Sequence, residues 1–422
     1  MRKAATEPVA TGSVPGQRGS TVADDSGASV GVSRRGPKSS GRPEGRKTRR
    51  EFLLGAGAAW VGLAGSGTGA VGSVRPARAA VPRWRGFNLL NFFQAFSRDE
   101  RSDGMVREDD LRWVRDWGFD FIRLPMDYWL WIDSDWPTTR RLRPDDVFRI
   151  KESTLEKVDR TVDLCRKYEL HLSLNFHRAP GYCINNPDRE PFVLWRDKTA
   201  EDAFVYHWDV FARRYKDVPP EALSFNLVNE APRPREGYMS RQDYVRVMTR
   251  ATETIRHSNP ERLVFIDGLS VGTEVVEEMI PVGVAQSVHA YWPAQISHYR
   301  APWVDRQSRF PRPTWPVRNP DGSIRMGRRD LVRRYDPWGQ LVRRGVGVHC
   351  GECGCYNKTP YAVFIAWFTD VMEILKGHGI GYALWNFRGS FGVLDSGRRD
   401  VKYEDWYGHK LDRELLAVLQ RF

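Results

Sequence analysis

The chain has 422 residues, 41% hydrophobic, 28% charged and 12% aromatic, with 37 Gly and 26 Pro. This balance fits a globular protein of one or two domains and excludes a collagen, a coiled coil, a polytopic membrane protein and a wholly disordered tail. Of the formal charge of +12, the first eighty residues supply most, holding 13 Lys/Arg against 5 Asp/Glu, which leaves +4 spread over the other 342; a nucleic-acid binder gathers its excess on one folded face, so nucleic acid is not expected as a partner.

Residues 1–47 are rich in Gly, Ser, Pro, Arg and Lys and nearly lack large apolar side chains, too little to offset the entropy of ordering, so they are expected to be disordered. Thr48-Arg49-Arg50-Glu51-Phe52-Leu53-Leu54 follows, then an Ala/Gly-rich apolar run to about residue 71 and Ala77-Arg78-Ala79. That is the order of a basic region, an apolar region and a small-residue cleavage site. The paired arginines before Phe-Leu resemble the twin-arginine export signal. A membrane anchor is the weaker alternative, because Ala and Gly stabilise a helix in lipid poorly. The expected organisation is a leader over 1–79 and a secreted catalytic domain over 80–422, with no stable membrane insertion after cleavage.

From Trp84 onward, short apolar runs alternate with longer amphipathic ones, the pattern of βα units around a parallel sheet. Eight strands are predicted, at 84–89, 119–124, 170–176, 222–228, 263–267, 285–289, 345–350 and 379–385. One intervening helix shows Leu155, Val158, Val162 and Cys165 at helical spacing behind a Ser153-x-x-Glu156 capping box. Another is expected to start with Thr359 as cap and Pro360 in its first turn, run to Lys376 and stop at Gly377. Eight parallel strands in roughly 330 residues fit a (β/α)8 TIM barrel with enlarged loops. A doubly wound sheet is the alternative, but no Gly-rich phosphate turn follows the early strands. The segment between Tyr291 and Arg329, rich in Pro, Arg and Trp, is an enlarged loop after strand 6 that is expected to shape a site. Cys350, Cys353 and Cys355 form a C-x2-C-x-C cluster without a fourth zinc ligand or a second knuckle, which points to buried thiols or one local disulfide and to no metal.

In such a barrel the functional groups come from the carboxyl ends of strands. Those ends carry Arg123 on strand two, His177 on three, Asn229 and Glu230 on four, His289 and Tyr291 on six, Glu352 on seven and Trp385 on eight. Two carboxyl groups flanking one bond are what glycoside hydrolysis requires, one to protonate the leaving oxygen and one to meet the charge that grows on the sugar carbon. Arg123 and Tyr291 would hold the second ionised, and Trp385 would offer a flat face to a sugar ring. Because consecutive strand residues face opposite ways, Asn229 and Glu230 can serve one sugar only if the backbone there is irregular.

The set Gly86-Phe87-Asn88-Leu89, Ile122-Arg123-Leu124-Pro125, Asn175-Phe176-His177, Asn229-Glu230, His289-Ala290-Tyr291, Gly351-Glu352 and Trp385, in this order, resembles glycoside hydrolase family 5, the cellulase family. The resemblance implies that Glu230 is the acid/base and Glu352 the nucleophile of a retaining β-glycosidase acting on a β-linked glucan, mannan or related chain. It implies that Arg123, His177, Asn229, His289, Tyr291 and Trp385 bind substrate and that no cofactor takes part. The family usually shows Asn-Glu-Pro at strand four, whereas Asn229-Glu230-Ala231-Pro232 displaces the proline by one place. Exo-acting and glycolipid-specific members of the family stay open. A non-hydrolytic carbohydrate-binding barrel would be expected to lack one carboxylate, and a metal-dependent barrel hydrolase would need an early His-x-His, whereas residues 84–124 contain no histidine.

Overall fold

The computed structural model describes residues 81–96, 103–305 and 307–422. Eight parallel strands form a barrel: β1 (Arg85–Asn88), β2 (Phe121–Asp127), β3 (His171–Ala179), β4 (Leu223–Asn226), β5 (Leu263–Asp267), β6 (Ala285–Ala290), β7 (Val348–Cys353) and β8 (Gly381–Leu384). Each pairs with its successor, and β8 pairs back onto β1, which closes the sheet and excludes the doubly wound alternative. The strands are buried along nearly their whole length, as expected where helices cover the outside of a parallel sheet and side chains fill the inside.

Among the described residues, seven helices of nine or more residues surround it: α1 (Glu108–Asp116), α2 (Glu152–Lys167), α3 (Lys198–Arg214), α4 (Arg241–Ser258), α5 (Arg328–Arg343), α6 (Tyr361–Gly377) and α7 (Arg413–Arg421). Between β5 and β6 the described chain makes only the short turns Leu269–Gly272 and Glu277–Met279. No helix among the described residues is long and apolar enough to cross a membrane. The export signal expected over 1–79 lies outside the described residues.

Several local expectations are corrected. Strands β2 and β3 run three residues past their apolar cores, to Asp127 and Ala179, because the polar residues that end them still pair with neighbours. Helix α2 starts at Glu152, with Lys151 as its cap residue and no side-chain cap. Its entry is fixed instead by Lys151 N–H to Trp131 O and Thr154 Oγ1 to Leu130 O, so Ser153 is a first-turn residue and the capping box does not form. Thr359 does not cap α6. Its hydroxyl donates to Ile296 O, and the first free N–H of the helix, on Tyr361, goes to Asp400 Oδ2 at 2.8 Å. All five cysteines are free and buried. The sulfurs of Cys350, Cys353 and Cys355 each donate to a different carbonyl, of Glu352, Ala383 and Ile296, so the thiol reading holds and the local disulfide does not.

The segment after β6 is the enlarged connection that was expected. It holds a short helix (Ala294–Ser297) and a hairpin pairing Val317–Arg318 with Ile324–Met326 before α5 begins. It also corrects the expected spread of charge, since residues 298–345 alone carry twelve arginines against four aspartates.

Candidate active site

Arg123, on β2, is 1% exposed and organises the carboxyl end of the barrel. Its Nε donates to Asn226 Oδ1 at 3.0 Å, Nη1 to Asn88 Oδ1 at 3.0 Å and to Glu352 Oε1 at 2.8 Å, and Nη2 to Asn229 Oδ1 at 2.8 Å. A buried guanidinium is tolerable only when its fork of donors is satisfied, and here four side chains from the ends of three strands satisfy it. Glu352 receives a second donor, the Tyr291 hydroxyl, at 3.0 Å on Oε2. Burial, followed by the neighbouring carboxylates, raises the Tyr291 phenol well above its usual value, so it remains a donor.

Glu352 reaches this place through a bulge. Cys350 pairs with Val288 but Glu352 pairs with His289, so the β7 register shifts at Gly351. Bulges beside active sites re-aim a side chain in this way. Gly351 is required here by close approach, since an added Cβ would lie 2.4 Å from Ser287 Oγ.

Regular pairing of β4 ends at Asn226, and Glu230 adopts φ +50°. The irregular backbone expected at Asn229 and Glu230 is therefore present, as a left-handed residue that turns both side chains to one pocket. The extra Ala231 has its carbonyl tied to Val271 N–H at 2.9 Å, which anchors the altered path before Pro232. One oxygen of Glu230, one nitrogen of His289 and one oxygen of Glu352 all lie within 4.8 Å of one another. Burial is the main influence on Glu230 and raises its carboxyl; the negative Glu352 adds to this, and the hydrogen bond from His289 works against it.

Sequence reasoning missed Asp267, the last residue of β5, which is fully buried. Its Oδ2 accepts from Glu230 N–H at 2.9 Å and lies 3.1 Å from His289 Nε2, while Oδ1 accepts from Asn226 Nδ2 at 2.9 Å. His289 Nδ1 faces Glu230 Oε1 at 2.9 Å and Glu352 Oε2 at 3.6 Å. Burial alone would lower the His289 pKa, but Glu352 and Asp267 outweigh it and raise the imidazole well above 6.5. A charged ring results, held by the Asp267 and Glu352 carboxylates and by the Glu230 carboxyl group. The only available signal was an Asp closing an apolar strand at the end where the other site groups lie.

His177 differs. Burial, then Arg123 and Arg178, push it well below 6.5, so the ring is neutral. Asn185 Nδ2 is 3.1 Å from Nε2, which assigns the proton to Nδ1. Neither His177 Nδ1 nor Asn229 Nδ2 has a partner among the described residues, and unpaired buried donors of this kind suit sugar hydroxyls. Trp385 packs with its ring centroid 5.8 Å from His177 and 5.2 Å from Phe93. Of the three tryptophans of the long insertion, Trp303 joins the site: it touches Phe391 at 6.3 Å, and Phe391 touches Tyr291 at 6.1 Å. Trp315 instead turns to Asp370 on α6. All eight residues singled out from the sequence thus gather at one end of the barrel. The trio Glu230, His289 and Glu352 has spacing that a cation could bridge, but the Arg123 guanidinium on Glu352 opposes a second positive charge there.

Residues 79–390 match the family described as cellulase (glycosyl hydrolase family 5). Endoglucanase C of Acetivibrio thermocellus is 26% identical over 346 residues, covering 76% of this chain and 95% of that one. Cellodextrinase A of Ruminococcus flavefaciens is 23% identical, covering 70% and 83%. A solved structure described as a glycoside hydrolase superposes with a TM-score of 0.72 at 37% identity, covering 80% of this chain and 99% of that one.

Proposed function

Because the chain belongs to the cellulase family, glycosyl hydrolase family 5, we propose that this β-glycoside hydrolase cleaves a β-linked glucan, mannan or related chain by double displacement, with Glu230 as acid/base and Glu352 as nucleophile. The observation that carries the reading is the approach of the two carboxyl groups to within 4.8 Å between oxygens, the short separation of retaining enzymes rather than the wider one that admits a water. Glu352, gripped by Arg123 and Tyr291, attacks the anomeric carbon as the bond to the leaving oxygen breaks. Glu230, kept protonated by burial, gives that oxygen its proton. Glu230 then takes a proton from water, which attacks the same carbon and releases Glu352. The charged His289 opposes the negative charge that Glu230 acquires between the two steps. Arg123, His177, Asn229, His289, Tyr291 and Trp385 position the sugar.

Glucan comes first among the substrates because Endoglucanase C, by its name, cleaves glucan. The reading includes export by the twin-arginine route, supported by Arg49-Arg50-Glu51-Phe52-Leu53-Leu54, and a catalytic domain over 80–422.

The test is hydrolysis of β-glucans, mannan and aryl β-glycosides, with the anomer released followed by NMR. Retention is expected. Glu352→Gln should abolish turnover on every substrate, whereas Glu230→Gln should spare the first step on an activated phenol that needs no proton. With Glu230→Ala, azide should restore turnover and give a β-glycosyl azide; an α-azide would mean the two roles are reversed.

A further inference from the structure

Residues 298–345 hold twelve arginines, four aspartates and no lysine or glutamate, a net charge of +8, so that the rest of residues 81–422 is net −4. The four carboxylates are already engaged. Asp305 accepts from the backbone N–H of Arg300, Arg309 and Phe310. Asp321 holds Ser323, Asp330 caps α5 and pairs with Arg333, and Asp336 holds Gln340 and Arg343. The exposed guanidinium groups of Arg300, Arg309, Arg312, Arg318, Arg325 and Arg329 have no carboxylate partner among the described residues. A surface left in this state repels itself and attracts oxyanions, and arginine forks match them in geometry as well as in charge.

The patch is tied to the active site. Asp305, 5% exposed, staples the two ends of the turn that carries Trp303, at 3.1 Å to Arg300 N and 2.6 Å to Arg309 N. Trp303 is 47% exposed. Its ring lies 5.0 Å from Tyr356, 6.2 Å from His298 and 6.3 Å from Phe391, and both His298 and Phe391 touch Tyr291, which binds Glu352. An aromatic face on a turn whose two ends carry exposed arginines without carboxylate partners, one ring removed from a residue of the site, offers stacking to a sugar and a charge partner to its substituent.

We propose that Arg300, Trp303 and Arg309 form a subsite for a sugar bearing a carboxylate or similar oxyanion, which makes the substrate class an acidic β-linked polysaccharide. This rests on the hydrolase reading above and narrows it. A glycan is favoured over a nucleic acid because Trp303, carried by this turn, packs against the aromatic residues beside Tyr291 of a glycosidase site.

The test is affinity electrophoresis of the full chain carrying Glu352→Gln, through gels containing carboxymethyl cellulose or neutral hydroxyethyl cellulose, at about 20 and about 500 mM NaCl, salt being what screens exposed charge. Carboxymethyl cellulose should retard it more strongly, and high salt should remove only that excess. Arg300→Gln with Arg309→Gln should weaken binding to the anionic polymer about fivefold to tenfold and leave the neutral one unchanged. Lysine at both positions should restore most of the loss and shows that the turn still folds. Trp303→Ala should weaken both. Equal, salt-independent retardation by the two polymers, or indifference to the arginine changes, overturns the proposal, as does a DNA duplex that displaces carboxymethyl cellulose at lower charge concentration. Hydrolysis by the unsubstituted chain is scored separately. If it cleaves neither polymer, nor mannan nor any aryl glycoside, the hydrolytic reading fails, while the retardation data still decide whether the turn binds anionic glycan.

Discussion

Asp267 shows how one side chain sets the chemistry of two others. It holds the left-handed Glu230 by its N–H and faces the far nitrogen of His289, whose near nitrogen meets Glu230. Burial would raise the Asp267 carboxyl, but His289 and Arg123 hold it below the usual carboxylate range, so it is a standing negative charge. Asp267→Asn keeps an acceptor for Glu230 N–H and removes that charge. The His289 imidazole, followed by nitrogen-correlated NMR, should then titrate at lower pH, and kcat should fall on the order of tenfold to a hundredfold, as when the group orienting a functional histidine is lost, with KM little changed. An unmoved imidazole titration would leave Asp267 a packing residue. Its role was not legible in the chain because a strand-ending Asp reads the same whether it faces water or an imidazole. The partners of Arg123 were hidden similarly: Asn88 and Asn226 are neutral amides, and nothing in their spacing says that a guanidinium lies between them. His177, Glu230 and Glu352 were legible because each follows an apolar run at the same end of a barrel strand, and Arg123 because it is the one charge inside the apolar run of β2 before Asp127.

At the level of elements, β5 and its turn act as a support for β4 and β6. Ser270, Val271 and Gly272 all have positive φ, Val271 N–H holds Ala231 O, and Gly272 lies against the His289 ring, where an added Cβ would come within 2.7 Å. Gly272→Ala combines backbone strain of about 1 kcal/mol with a displaced imidazole. Activity should therefore fall more than stability: Tm by a few degrees, kcat on an activated aryl glycoside by about tenfold. A variant that loses stability and keeps kcat would show that the turn only supports the fold. The sequence placed all eight strands, because apolar runs of β-branched and aromatic residues survive any change at their ends. It misplaced the starts of α2 and α6, where Trp131 O and Asp400, distant in the chain, satisfy groups that a local cap was expected to satisfy. The β7 bulge was equally silent, since Gly351-Glu352 fits a regular strand as well as a shifted one.

The whole barrel stores a dependence on pH. His171 and His349 stand inside it near the amino ends of the strands, where Trp84 stacks on His171 at 3.6 Å, and His207 lies between Trp131 Nε1 and Val147 O. Burial lowers each of the three to about 3, against about 6.5 in an unfolded chain. Below pH 6.5 the unfolded chain takes up protons that the native one refuses, so this part of the stability is complete above 6.5 and is lost as pH falls toward 3. Each group contributes roughly 1.4 kcal/mol per pH unit in that window, on the order of 4 kcal/mol for the three together. His289 has the opposite sign: its raised pKa favours the fold fully below 6.5 and loses effect only as pH rises through the native value, so it adds nothing to the acid slope. Asp127 and Glu190, which burial raises, oppose the slope near its acid end. Tm measured by calorimetry should therefore drop from pH 7 to pH 5. His207→Gln, which can keep both hydrogen bonds without titrating, should flatten the drop by about a fifth if it shares the effect equally with His171, His349, His177 and His298, all lowered by burial. A Tm that stays level or rises over this interval would mean that the buried imidazoles are protonated in the native barrel.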